Sequence, residues 1–499
     1  MSFTCRKIAF LAIAVVLGAF VFSGTLPATG ALLRAHVAVL EYRDAHPGES
    51  VPIIIQTDAT TDPLELVRDS GGDVTSVLGM IHSVAAEVPA ERIDQLVGAE
   101  GVRWVSLDAP VVSTDGGGGS GSSSPTNVFR AEVQADNAGN AGILGQGVGV
   151  AVVDTGIYAS NDFRSDGTSR VVATFAKDGT SGVDGYGHGT HVAGLVGGSG
   201  KQSGGQYAGV APLANLISVK VGDNTGVAAV SDVINGLQYV LANKDAYNIR
   251  VVNLSLRVDS PQSYTTDPLD AAVELLTFRG ILVVAAAGNT GTVSDAVSYA
   301  PANDPFVLTV GALDDVGTVQ IADDLVPSWS SRGTTQDGFA KPELYTPGRH
   351  LISVLSPKSV LAVQLPGNVV GNSYLQLSGT SMAAGVASGT AALVFSAHAD
   401  WTPGQVKAAL VLTGGQIASD PTIRVAQAWA ATKLSSPVDP ALNIKPNVLL
   451  LQAAGVANPS SISWGSISWG SISWGSISWG SISWGSISWG SISWGNVKE

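Results

Sequence analysis

Five short apolar runs govern what this chain can fold into: Val148–Val153, Asn215–Val221, Arg250–Leu254, Ile281–Ala286 and Phe306–Val310. Most lack the in–out alternation of a half-wet strand, which is how strands covered on both faces read. Helical stretches fall between them at His191–Gly197, Val230–Asn243 and Asp267–Phe278. Strands alternating with helices predict an α/β unit over residues 127–434, with a doubly wound, mainly parallel sheet. Only 13% of the residues are charged and 60 are glycine, which suits tight packing better than a coiled coil or a disordered chain. A chain of 499 residues is too long for one ordinary core, so two or three folded units are expected. A formal charge of -14 argues against nucleic acid as a partner, because phosphate binding needs clustered Lys and Arg; it identifies no substrate.

Ahead of this unit, Val51–Gln56, Asp73–Leu78, Ser83–Val88 and Val102–Leu107 read as strands, and Asp62–Ser70 and Ala90–Val97 as helices. The order β-α-β-β-α-β predicts a small ferredoxin-like α+β unit over 31–112; a generic α+β unit is the alternative. Residues 113–126, rich in Gly and Ser, read as a flexible linker exposed to proteolytic nicking. At the N-terminus, Arg6 and Lys7 precede an apolar run from Ile8 to Phe22 and the small residues Ser23–Ala31. That pattern is a secretory signal peptide over 1–30, with an uncleaved anchor as the alternative. The only cysteine, Cys5, would leave with it, so neither disulfides nor thiol chemistry would remain.

Residues 435–460 read as a second linker. Seven copies of Ser-Ile-Ser-Trp-Gly then fill 461–495. Uncharged and rich in β-formers, they read as a stacked repeat sheet or a sticky tail, or as disorder. A tail of this kind could hold the protein at a surface, and its partner is not identified.

Chemistry gathers at three places. Gly379-Thr380-Ser381-Met382-Ala383 opens an apolar helix, where a serine meets the positive end of the helix dipole. Alone, Ser381 would be a capping serine; a hydroxyl becomes a nucleophile only beside a base. His188, flanked by glycines in Asp184-Gly185-Tyr186-Gly187-His188-Gly189-Thr190-His191, is the best candidate base. His191 reads as a structural neighbour, since no HExxH-type companion accompanies it. Val148–Val153 ends in Asp154, a carboxylate at the carboxyl end of a buried strand, where open α/β sheets build sites. There it can orient an imidazole; alone, it could equally cap the following turn.

The order Asp154, His188, Ser381, within the words DTG, GHGTHVAG and GTSMA, resembles the subtilisin-like serine peptidases, or subtilases. DTGIYASNDF and DGYGHGTH are similar to the proteinase K side of that family, and KPELYTPG to a block of its bacterial members. The resemblance implies a serine endopeptidase acting on protein or peptide substrates through an acyl-enzyme, with no cofactor needed for the chemistry. By position it implies Asn289 as oxyanion donor and Ser255, Leu256 and Gly288 as substrate-binding residues. It also implies that the N-terminal unit is an inhibitory propeptide, cut off near the linker by the enzyme itself. Structural calcium is common in the family, but no ligand set maps onto this chain; Asp162 and Asp166 are only suggestive. Two positions depart from the pattern. Arg257 stands where the family has glycine and is expected to narrow or charge the cleft. Gly385-Val386-Ala387-Ser388-Gly389 replaces Pro-His-Val-Ala-Gly, which bears on rigidity.

Overall fold

The computed structural model describes residues 34–58, 60–113, 127–435, 437–439 and 444–453. The expected signal peptide (1–30), the linker beyond Ser113 and the SISWG repeats lie outside the described residues.

The N-terminal unit opens with α1 (Val37–Ala45), which the sequence pattern did not indicate, and continues as β1 (Ser50–Thr57), α2 (Pro63–Asp69), β2 (Asp73–Leu78), β3 (Ser83–Pro89), α3 (Ile93–Gly98) and β4 (Val102–Leu107). Asp62 starts α2 by accepting from the Leu64 N–H, with Pro63 at the first helical position. The sheet order is β2-β3-β1-β4, every pair antiparallel. A short strand, β5 (Pro110–Ser113), then leaves this sheet.

The larger unit contains β6 (Gly149–Asp154), β7 (Val171–Ala176), α4 (His188–Gly197), β8 (Asn215–Lys220), β9 (Val227–Ala229), α5 (Val230–Ala242), β10 (Ile249–Leu254), β11 (Leu256–Val258), α6 (Pro268–Phe278), β12 (Leu282–Ala286), β13 (Leu308–Leu313), β14 (Leu344–Pro347) and α7 (Thr380–Ala397). Seven strands form one parallel sheet, ordered β14-β13-β12-β10-β6-β8-β7. The edge strands β7 and β14 were not among the five apolar runs. β7 alternates between partly buried and exposed residues, so no continuous run marks it.

The five central runs lack regular alternation because successive residues enter different cores. Val150 and Val152 of β6, with Val251, Leu282 and Val284, face α4 and α7. Ala151 and Val153, with Val252, Leu254 and Val283, face α5 and α6. Helices on both faces make the sheet doubly wound, as expected. α7 is apolar all round because almost every residue of it is buried.

α4 and α7 pack side by side. A β-carbon on Gly385 would lie 3.3 Å from Val192, and one on Gly389 would lie 2.5 Å from Val210 and 3.1 Å from the Val196 carbonyl. Both contacts advance by four residues on each helix, so the helices run parallel. One turn back from Val192 and Gly385 stand His188 and Ser381.

The Gly389→Ala variant is expected to lose about 1–3 kcal/mol of stability, the cost of overpacking a closed contact. Thermal melts in a Ser381→Ala background, which prevents self-digestion, would measure it.

Candidate active site

β6 lies where the strand order reverses, between β8 on one side and β10 on the other, and a cleft opens there beyond the strand ends. Asp154, its last residue, is buried. The carboxylate oxygens lie 2.8 and 2.9 Å from His188 Nδ1. His188, the first residue of α4, is fully buried. Its Nδ1 therefore carries the proton, donated to Asp154, which makes Nε2 the basic nitrogen of the neutral ring. Gly189 permits this approach, because a β-carbon there would collide with the Gly156 carbonyl and lie 3.1 Å from Asp154 Cβ.

Asp184, four residues before His188, organises the loop between them. Its carboxylate accepts from Thr155 Oγ1 (2.8 Å), Gly187 N–H (2.6 Å), Thr190 N–H (2.8 Å) and Thr190 Oγ1 (2.6 Å). Thr155 in turn accepts from the Gly189 N–H at 3.0 Å, tying the turn after β6 to the start of α4. Burial pushes the Asp184 carboxyl above its ordinary pKa, and these donors pull it back. The role of Asp184 was missed in the sequence. Its signal is an acidic residue just ahead of a helix start, where unpaired N–H groups need an acceptor.

Ser381 is the second residue of α7 and is also fully buried. Its hydroxyl donates to the Ser255 carbonyl at 3.3 Å, and the Ser255 hydroxyl donates to the Ser381 carbonyl at 3.0 Å. Behind them, Asn253 donates to Ser255 Oγ at 2.9 Å, and Ser388 donates to Asn253 Oδ1 at 2.9 Å. All four residues have no exposed surface. Ser388 lies in the segment that departs from the family pattern and supplies the partner that the buried Asn253 requires. Asn253 was also passed over, although a lone amide in an apolar strand is itself a signal of such a partner.

Asn289 follows Gly288 beyond the end of β12. Its side-chain oxygen accepts from the Thr380 N–H (3.0 Å) and hydroxyl (3.1 Å), and the Gly288 N–H donates to Thr380 Oγ1 at 3.0 Å. A backbone N–H can only donate, so the amide oxygen faces Thr380 and the –NH2 end is turned away from it.

β5 occupies the cleft. It pairs antiparallel with β9 on one side and β11 on the other, with Val112 opposite Val227 and Arg257, and Ser113 opposite Leu256. Val111, Val112 and Ser113 line one small cavity together with Asp154, Thr155, Ser255 and Leu256. Arg257, opposite Val112 in the strand that walls this cleft, lays its guanidinium over the Tyr299 ring, 4.4 Å from the centroid, and pairs with Asp259 at 3.4 Å.

His191 is structural: Nε2 faces the Leu351 and Leu375 carbonyls at 3.2 and 2.9 Å. The Asp162 oxygens accept from the Gln202 N–H (2.8 Å) and the Tyr374 hydroxyl (2.6 Å). Asp166 lies on an exposed turn. Among the described residues, no group of three or more His, Cys, Asp or Glu side chains is arranged to hold a metal.

The sequence profile described as the Subtilase family matches residues 145–442. The chain is 42% identical over 273 residues to serine protease AprX of Bacillus subtilis (strain 168), covering 53% of this chain and 60% of that protein. It is 33% identical over 339 residues to an alkaline protease of Shouchella clausii, covering 68% and 76%. With Subtilisin Savinase of Lederbergia lenta it shares 35% over 287 residues, covering 58% and 90%.

Replacing Asp184 with Ala strands at least two buried N–H donors and is expected to cost about 3 kcal/mol. Urea unfolding of the double variant with Ser381→Ala reads that loss, and Asp184→Asn should recover part of it.

Proposed function

This chain belongs to the subtilase family of serine endopeptidases, and we propose that it is a secreted member, made as a precursor that cuts itself. Ser381 is the nucleophile, His188 the general base and Asp154 the carboxylate that orients the imidazole and stabilises its charged form. The Ser381 hydroxyl attacks the peptide carbonyl while His188 Nε2 takes its proton. His188 then returns a proton to the departing amine, leaving an acyl-enzyme that water hydrolyses. Asn289 donates its –NH2 to the developing oxyanion, beside the N-terminus of α7. Ser255, Leu256 and Gly288 hold the substrate backbone and its side chain next to the bond. None of these steps calls for a cofactor. The signal-like residues 1–30 support export.

The observation that carries the precursor reading is β5 in the cleft. It adds to two strands of the peptidase unit as a substrate would, and so blocks it. Asp108 and Ala109 lead into it and cap α5: Ser231 donates its N–H (2.8 Å) and hydroxyl (2.6 Å) to Asp108, and the Val230 N–H donates to the Ala109 carbonyl (3.1 Å). This supports reading the N-terminal unit as an inhibitor in place, with the cut in the linker that follows it.

The test is mass spectrometry of the product with fluorophosphonate labelling. Wild-type protein should start within that linker and take the label on Ser381. Ser381→Ala should stay full length and unlabelled; normal processing of that variant, with no other protease present, would refute self-cleavage.

Release of the unit should depend on pH. Burial lifts the Asp108 carboxyl from 3.8 to about 6; the Ser231 donors pull it back, while Asp232 and Glu87 push it up. Lys177 pairs with Asp232 beside it. A carboxyl raised in the docked state takes up a proton on docking. Its contribution is therefore full below pH 3.8 and is lost as pH rises through about 6. The cut unit is expected to leave about tenfold faster near pH 7.5 than near pH 5, and Asp108→Asn should flatten that dependence. Size-exclusion chromatography at each pH would follow the departure.

A further inference from the structure

Residues 435–460 were expected to be a linker, yet residues 446–449 of that stretch pack against the folded units. Asn447 has no exposed surface and Leu449 is 2% exposed. A spacer would leave both in water.

On one side this arm is fastened to the peptidase unit. The Asn447 N–H faces both Glu274 carboxyl oxygens at 3.0 and 2.8 Å. Its side-chain –NH2 donates to the Tyr264 and Asp267 carbonyls, and its side-chain oxygen accepts from the Leu449 N–H at 2.8 Å. The Val448 N–H donates to the Thr265 carbonyl and the Tyr264 hydroxyl to the Lys445 carbonyl, at 2.8 and 2.9 Å. Every hydrogen-bonding group of the Asn447 side chain is used, which fixes the arm at the start of α6.

On the other side it reaches the N-terminal unit. Gln56 of β1, itself 2% exposed, donates to the Leu449 carbonyl at 3.0 Å and to the Ile81 carbonyl at 3.0 Å. The Leu449 side chain joins one apolar cluster with Ile54, Leu78, Ile81 and Ala85 of that unit and Leu269, Val273 and Leu276 of α6. Of the other polar ties to this unit, Gln262 to Ser106 (3.1 Å) is also buried, whereas Met80 N–H to Gln238 (3.0 Å) and Asn235 to Ser76 (2.8 Å) are only partly buried. A buried amide–carbonyl bond inside an apolar cluster holds more firmly than such rim contacts, because breaking it strands both groups or admits water.

We propose that residues 445–449 form a clip that holds the N-terminal unit on the peptidase unit, so that the C-terminal arm governs how long that unit stays after the cut. The regulatory part rests on the reading that the unit blocks the cleft; the clip itself does not.

Two variants test it in the full-length chain carrying Ser381→Ala: Leu449→Ala on the arm and Gln56→Ala on the unit. Hydrogen exchange is read at the interface amides of residues 79–81 and 110–113, with β3 as control for the unit's own fold and β6 for the peptidase core. Each variant should raise interface exchange about tenfold while both controls keep their protection. Unchanged interface exchange in both would overturn the clip. Should Leu449→Ala also loosen β6, Gln56→Ala decides alone, since it leaves the arm's anchorage intact; should it loosen β3, Leu449→Ala decides. The same variants in the active chain separate the two readings. Interface loosening without earlier appearance of peptidase activity would leave the clip standing and defeat the inhibitory role of the unit.

Discussion

The parallel contact between the helices that begin at His188 and Thr380 is the constraint on which the rest of the site depends. Gly385 and Gly389 remove side chains where Val192 and the Val196 carbonyl approach, so the two backbones come close. Closeness held over two turns keeps the helices parallel and level, and that sets His188 and Ser381 side by side without any direct bond being needed to recruit them. It also brings two helix N-termini to one cleft; Asp184 takes up the N–H groups at the start of α4. Gly385 stands where the family pattern has proline, so the contact relies on absence of bulk rather than on a fixed backbone angle.

Around this contact, buried polar groups act as spacers of definite length. Asp184 ties the turn after β6 to the start of α4 and thereby sets Asp154 against His188. The line from Ser388 through Asn253 to Ser255 does the same between α7 and β10. An apolar core resists compression but tolerates sliding by fractions of an ångström; hydrogen bonds in a dry interior tolerate far less, because each unmade one costs its full desolvation. Asp184, Asn253 and Ser388 therefore position the site through other residues.

The N-terminal unit is not a separate bead. Its residues Ile54, Leu78, Ile81 and Ala85 belong to the same apolar cluster as α5 and α6, and its last strand lies in the cleft. Packing and cleft occupancy are thus coupled: whatever weakens the shared cluster also loosens the strand that lies in the cleft. The C-terminal arm closes that cluster from the third side.

The sequence by itself determined the five central strands of the sheet and singled out Asp154, His188 and Ser381 as the candidate reacting groups. Continuous apolar runs are legible because a strand buried on both faces has no polar position to offer, and Asp154, His188 and Ser381 are legible because their chemistry dictates both residue type and local setting. Only the tertiary structure decided what lies between distant segments. β7 escaped because its alternation depends on a neighbour, and Asp184 and Ser388 because a buried polar residue is defined by a partner far along the chain. Likewise only the fold shows that Arg257 meets Tyr299 and Asp259. The stretch 445–449 looked like a linker because its anchors, Glu274 and Gln56, are about 170 and 390 residues away, and local composition carries no information about contacts at that range.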